Sequence, residues 1–117
     1  MKRAKIMELS ERKVGQVTVI DLKNNTNLRG QYDGFQRMVR GQIESGQRHF
    51  VINLARCEWI DSMGLGELVW SLAHVMRQGG NLKLACPPPK IKALLSLTNL
   101  NQVFEVFDDE DSAVNSF

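Results

Sequence analysis

Asp61 and Ser62 set a carboxylate beside a hydroxyl, and Met63-Gly64-Leu65-Gly66 follows at once. Such a pair suits three chemistries: nucleophilic attack by the hydroxyl, capping of a helix, or acceptance of a phosphoryl group by the serine. A nucleophilic serine needs a base within hydrogen-bond reach. The histidines are His49 and His74, and no Gly-x-Ser-x-Gly elbow is present. On a helix His74 would lie about 18 Å from Ser62, at roughly 1.5 Å per residue, and His49 precedes a strand, remote from any elbow. Both histidines read as surface residues, and catalysis is not expected. Gly64-x-Gly66 lacks the third glycine of a dinucleotide site and the Gly-Lys-Ser/Thr ending of a P-loop. Cys57 and Cys86 are not CxxC-spaced and have no ligand-spaced histidines near them, so they read as small hydrophobes at or near strand ends. No cofactor or metal is expected.

The elements flanking the pair explain its position. Phe50-Val51-Ile52-Asn53-Leu54 is a short β-branched and aromatic run of the length of a buried strand. After it, Leu65, Leu68, Val69, Leu72 and Met76 form one stripe of an amphipathic helix, while Glu67, Ser71, His74 and Gln78 form a solvated face. Gly79-Gly80 stops that helix. Asp61 or Ser62 therefore stands where backbone N–H groups lack partners and a partial positive charge gathers. Either can cap, and a cap is the more economical role for Asp61. Gly64 and Gly66 cost helix propensity, so something must approach the backbone there, either a neighbouring element or a partner protein. A phosphate on Ser62 would be tolerated by the helix and would change the surface by about −1.5 to −2 charges.

At these residues the chain resembles the STAS domain family, and most closely the bacterial anti-sigma factor antagonists. The resemblance rests on Asp61-Ser62-Met63-Gly64-Leu65-Gly66 after Val51-Ile52-Asn53-Leu54. It continues through Gly79-Gly80-Asn81-Leu82-Lys83-Leu84 and covers the chain from about Met7 onward. It implies that Ser62 is phosphorylated by a partner kinase. Many antagonists carry Gly-x-Leu-Asp in the loop before the first crossover helix, with an acid that helps engage the kinase. This chain has Lys23-Asn24-Asn25-Thr26-Asn27 there, asparagines that suit turns. Met63 stands where the family often has a second serine.

With 117 residues, 43% of them apolar and 24% charged, the chain is long enough for one domain with a modest core. Residues 1–117 are read as a single STAS domain, with 1–6 frayed. A net charge of +2 without a basic stripe argues against direct nucleic-acid binding. No apolar run approaches the roughly 18 residues of a membrane span, and no h-region follows Met1-Lys2-Arg3, so a cytoplasmic protein is expected.

In chain order, Ile6-Met7-Glu8-Leu9 reads as an edge strand, Lys13-Val14-Gly15-Gln16 as a turn, and Val17-Thr18-Val19-Ile20-Asp21-Leu22 as its hairpin partner. Residues 23–30 are a polar loop. Asp33 caps a helix whose inner stripe is Phe35, Met38, Val39, Gln42 and Ile43, and Ser45-Gly46 ends it. Strand 81–85 alternates, with Leu82, Leu84 and Cys86 on one face. Pro89 seats a helix to Leu97, and Asn99 follows where a left-handed cap is wanted. Val103-Phe104-Glu105-Val106-Phe107 is a last strand, and the acids at 108–111 open a closing helix that ends near Asn115. Strands alternating with helices predict an α/β fold: a small, mostly parallel mixed sheet with about four helices packed against it.

The expected partner surface comprises Asp61, Ser62, Met63, Gly64, Leu65, Glu67 and Trp70, with Asn25 and Thr26 of the preceding loop. Trp70 lies off the main stripe and reads equally as a half-buried sheet-edge residue or as an interface anchor. Trp59 reads as packed. The resemblance implies a binding module, switched at Ser62, whose partner is an anti-sigma factor of the histidine-kinase-like ATPase type acting as a serine kinase, with a separate phosphatase as reset. Alternatives are an unphosphorylated STAS subunit of a transporter or other regulatory complex, and a nucleotide- or small-molecule-binding STAS module.

Overall fold

The computed structural model describes residues 8–23 and 33–117. It contains β1 (Glu8–Val14), β2 (Val17–Lys23), α1 (Asp33–Glu44), β3 (His49–Asn53), α2 (Ser62–Arg77), β4 (Asn81–Ala85), α3 (Pro89–Leu97), a 3-10 turn (Leu100–Gln102), β5 (Val106–Phe107) and α4 (Glu110–Asn115). The five strands lie in the order β1-β2-β3-β4-β5. The first pair is antiparallel and the other three pairs are parallel. This is the expected mixed sheet with four helices.

Sequential parallel strands joined by right-handed crossovers put every crossover helix on the same face. α1, α2 and α3 therefore share one core with the sheet, made by Phe35, Val39, Leu68, Leu72, Val75, Ile91 and Leu95 over Ile20, Phe50, Ile52, Leu82 and Leu84. The opposite face would stay wet without α4. That short helix covers Val17, Val19, Val51 and Ala85 with Ala113, and polar ties hold both its ends. Glu110 accepts from Arg12 and from Asn53 Nδ2 at 2.9 Å. Lys83 Nζ donates to Ser116 O at 3.1 Å and to its Oγ at 2.8 Å.

Several expectations are corrected. β1 continues to Val14, so the turn is reduced to Gly15-Gln16, with Gly15 at φ 62°. The closing strand shrinks to Val106–Phe107, because Asn99 at φ 60° sends the chain into the 3-10 turn and Phe104 goes into the core. In α2 the buried arc is Gly64, Leu65, Leu68, Ser71, Leu72 and Val75. Val69 and Met76 face solvent, whereas Ser71 is sealed. α2 is wedged between the sheet and α1, which rotates the covered arc away from the stripe that apolarity alone selects. Lys83 is buried because α4 roofs its side of β4. Cys86, at φ 59°, leaves the face of Leu82 and Leu84 and packs with the opposite cluster. Helix α1 begins at Asp33 itself, the position where a cap was expected.

Candidate functional site

Ser62 is the first residue of α2 and is exposed. Asp61, immediately before it, is extended at φ −95° and ψ −178°, and its Oδ1 accepts from the Gly64 N–H at 2.8 Å. The division of labour between the two is thereby fixed. Asp61 satisfies one of the donors that a helix start leaves open, a bond of about 1 kcal/mol. The Ser62 hydroxyl is left free to face solvent beside a carboxylate. The loop leading in is held from below: Asn53 Oδ1 accepts from Ala55 N at 2.9 Å, and the buried Cys57 donates to Trp59 O at 3.6 Å. Burial pushes the Cys57 thiol up to about 12, so it is a packing residue rather than a reactive one.

The expected surface residues divide. Met63 is 51% exposed and stands beside Ser62. Gly64 and Leu65 are buried in the α2 arc, which corrects their assignment to the exposed surface. Glu67 is half-buried, with Oε1 sealed and without a hydrogen-bond partner; the Oγ of Ser71, one turn on, is in the same condition. Trp70 is a staple between helices. The guanidinium of Arg40, on α1, lies 4.8 Å from its ring centroid, and His74 stacks on it at 4.9 Å and 6°. The other histidine, His49, stacks on Phe117 at 4.8 Å. Both rings are thus half-buried packing groups rather than plain surface residues. Asn25 and Thr26 lie outside the described residues.

Apolar patterning pointed to the wrong side of α2 for part of the surface. Counting from Ser62 at helical spacing gives Gly66, Val69, Ala73 and Met76, all exposed. Val69 is 36% and Met76 57% exposed, so the open face of α2 below the serine is apolar and small. A Cβ built on Gly66 would meet nothing within 4 Å. Among the described residues no packing therefore demands a glycine there, although it costs the helix about 1 kcal/mol relative to alanine. The signal was present in the i, i+4, i+7, i+11, i+14 series starting at the hydroxyl, but it reads as core until the sheet is placed.

An exposed hydroxyl, a carboxylate tied up as a cap and an open apolar helix face thus meet at the start of α2. The STAS domain family matches residues 9–113, and the chain belongs to that family. It is similar to a Thermotoga maritima protein named as a candidate anti-sigma factor antagonist, 32% identical over 72 residues, a match covering 62% of this chain and 64% of that relative's own length. A crystal structure of a Thermotoga maritima protein with the same description superposes with a TM-score of 0.80 at 27% identity, covering 92% of each chain. The fold is also that of the anti-sigma factor antagonist SpoIIAA in its unphosphorylated form, with a TM-score of 0.78 at 17% identity over 93% of this chain and 95% of that one. SpoIIAA has been solved phosphorylated as well. Among the described residues, no helix is long and apolar enough to cross a membrane.

Proposed function

We propose that this chain is an anti-sigma factor antagonist: a cytoplasmic binding protein without a catalytic step of its own, switched by phosphorylation of Ser62. Unmodified, the edge formed by Ser62 and Met63 and the open face of Gly66, Val69, Ala73 and Met76 dock on an anti-sigma factor that is also a serine kinase of the histidine-kinase-like ATPase type. That docking frees a sigma factor. Phosphorylation adds about −1.5 to −2 charges at the edge of the apolar face, and the complex dissociates. A phosphatase restores the adhesive form.

The observation that carries this proposal is the exposed Ser62 at the start of α2, with Asp61 already committed to the cap. The relatives' description as antagonists supports the partner class. The test is incubation with the cognate kinase and ATP, followed by mapping of the phosphate. Ser62→Ala should take up none. Phosphate on another residue, with Ser62→Ala fully competent, overturns the proposal.

A further inference from the structure

At the opposite end of the domain, the turns that precede the parallel strands enclose a cleft of about 660 Å³. Sixteen residues of α2, about 24 Å at ~1.5 Å per residue, separate it from Ser62. Its walls are the β1–β2 turn (Gly15, Gln16), the α1–β3 loop (Gly46, Gln47, Arg48), the first residue of β3 (His49), Gly79 after α2, and Lys13 on β1. Every side chain among these residues is a cation or carries N–H donors, and among the described residues no carboxylate lines the cleft. Glu11, two residues before Lys13 on β1, is not part of the lining; it accepts from Gln42, the same amide to which Lys13 donates. The donors are only partly used. Lys13 Nζ gives one bond to Gln42 Oε1 at 2.7 Å. Arg48 spends Nη1 on the carbonyls of Ile43 and Gln47, at 3.0 and 2.8 Å, which fixes the guanidinium against the end of α1. Gln47 uses its Oε1 to accept from Thr18, at 3.4 Å, which turns its amide N–H groups to other uses. Gly15, Gly46 and Gly79 sit at φ 62°, 101° and 87°, and a Cβ on any of them would point into open space. The floor is therefore bare backbone that a ligand can approach closely.

We propose that this cleft binds a phosphate-bearing small molecule, held by Lys13, Arg48, His49 and the Gln47 amide, at a site separate from the Ser62 surface. A surplus of donors with no acid among the described lining residues selects an anion, and a planar fork beside a flexible ammonium matches phosphate oxygens. The volume falls within the range of small-molecule pockets, about 300–1,000 Å³, and exceeds what a lone inorganic ion fills. The experiment titrates pyrophosphate into the ¹⁵N-labelled chain at constant ionic strength, with sodium chloride as the control. Saturable shifts of the Gly15, Gly46 and Gly79 amides are expected, with those of α2's first turn unmoved. Lys13→Glu and the near-isosteric Gln47→Glu each place an acid at the cleft without touching the core. Each should weaken binding about tenfold or more. Shifts no larger than those with chloride, or pyrophosphate affinity unchanged in both variants, would overturn the assignment.

Discussion

Replacing Ser62 with Asp asks whether charge at the mouth of α2 acts on the surface or on the fold. The new carboxylate would lie about 6 Å from that of Asp61, a repulsion of about 0.7 kcal/mol in water that screening at physiological salt roughly halves. Against it stands the attraction of a negative group to a helix N-terminus, about 0.3–1 kcal/mol. The two nearly cancel. Six buried α2 residues, anchored in the core, keep the helix in place whichever slightly exceeds the other. Thermal unfolding of Ser62→Asp should thus fall within about 3 °C of the parent, with helical circular dichroism unchanged. Affinity for the anti-sigma partner, read by calorimetry or surface plasmon resonance, should drop at least about tenfold, because like charge or apolar surface now faces an uncompensated carboxylate. The genuine phosphoprotein should behave the same way, more strongly. A fall in Tm beyond about 8 °C with loss of helix would mean that charge unfolds the site rather than repelling a partner. Unaltered stability with unaltered affinity would remove Ser62 from the interface.

Other perturbations probe the frame. Gly80→Ala would drive a Cβ into the backbone carbonyl of Arg48, with its carbon at 2.9 Å, and should cost about 2–3 kcal/mol, or roughly 10 °C in Tm. Gly66→Ala should do the reverse, raising stability by about 0.5–1 kcal/mol while weakening partner binding; stabilisation with full binding would show that no partner approaches that backbone. Arg12, and then Asn53, hold the Glu110 carboxyl below the usual range, against burial, which raises it. A carboxyl depressed in the folded state stabilises above its unfolded value and loses that contribution as pH falls. Acid titration of stability should accordingly be shallower in Glu110→Gln below about pH 4.5, by no more than about 1 kcal/mol since Arg12 is exposed. Iodoacetamide at pH 8 should modify Cys57 only on unfolding; native-state alkylation of that thiol would contradict its burial.

Much of the frame was legible in the chain. The β-branched run before Asp61, the periodicity after it and the caps at Asp61, Asn99 and the 108–111 acids act over a few residues, so local chemistry decides them. The alternation of strands and helices likewise forced crossovers and hence a parallel sheet. Which side of each element would be covered was not local. Apolarity chose Val69 and Met76 for the core, yet α1 packs on the flank of Trp70 and leaves those two outside. Ser71, assigned to the solvated face, is buried in the helix layer, and Lys83 is buried under α4. Residues that converge from distant segments were also silent in sequence: Arg12 with Glu110, and Lys13 with Arg48 across the cleft. The sequence by itself determined where a hydroxyl would meet a helix start, since hydrogen-bond geometry there involves only neighbours. Tertiary structure alone decided which groups stand around that hydroxyl and which are hidden, because burial depends on what the rest of the chain lays against each face.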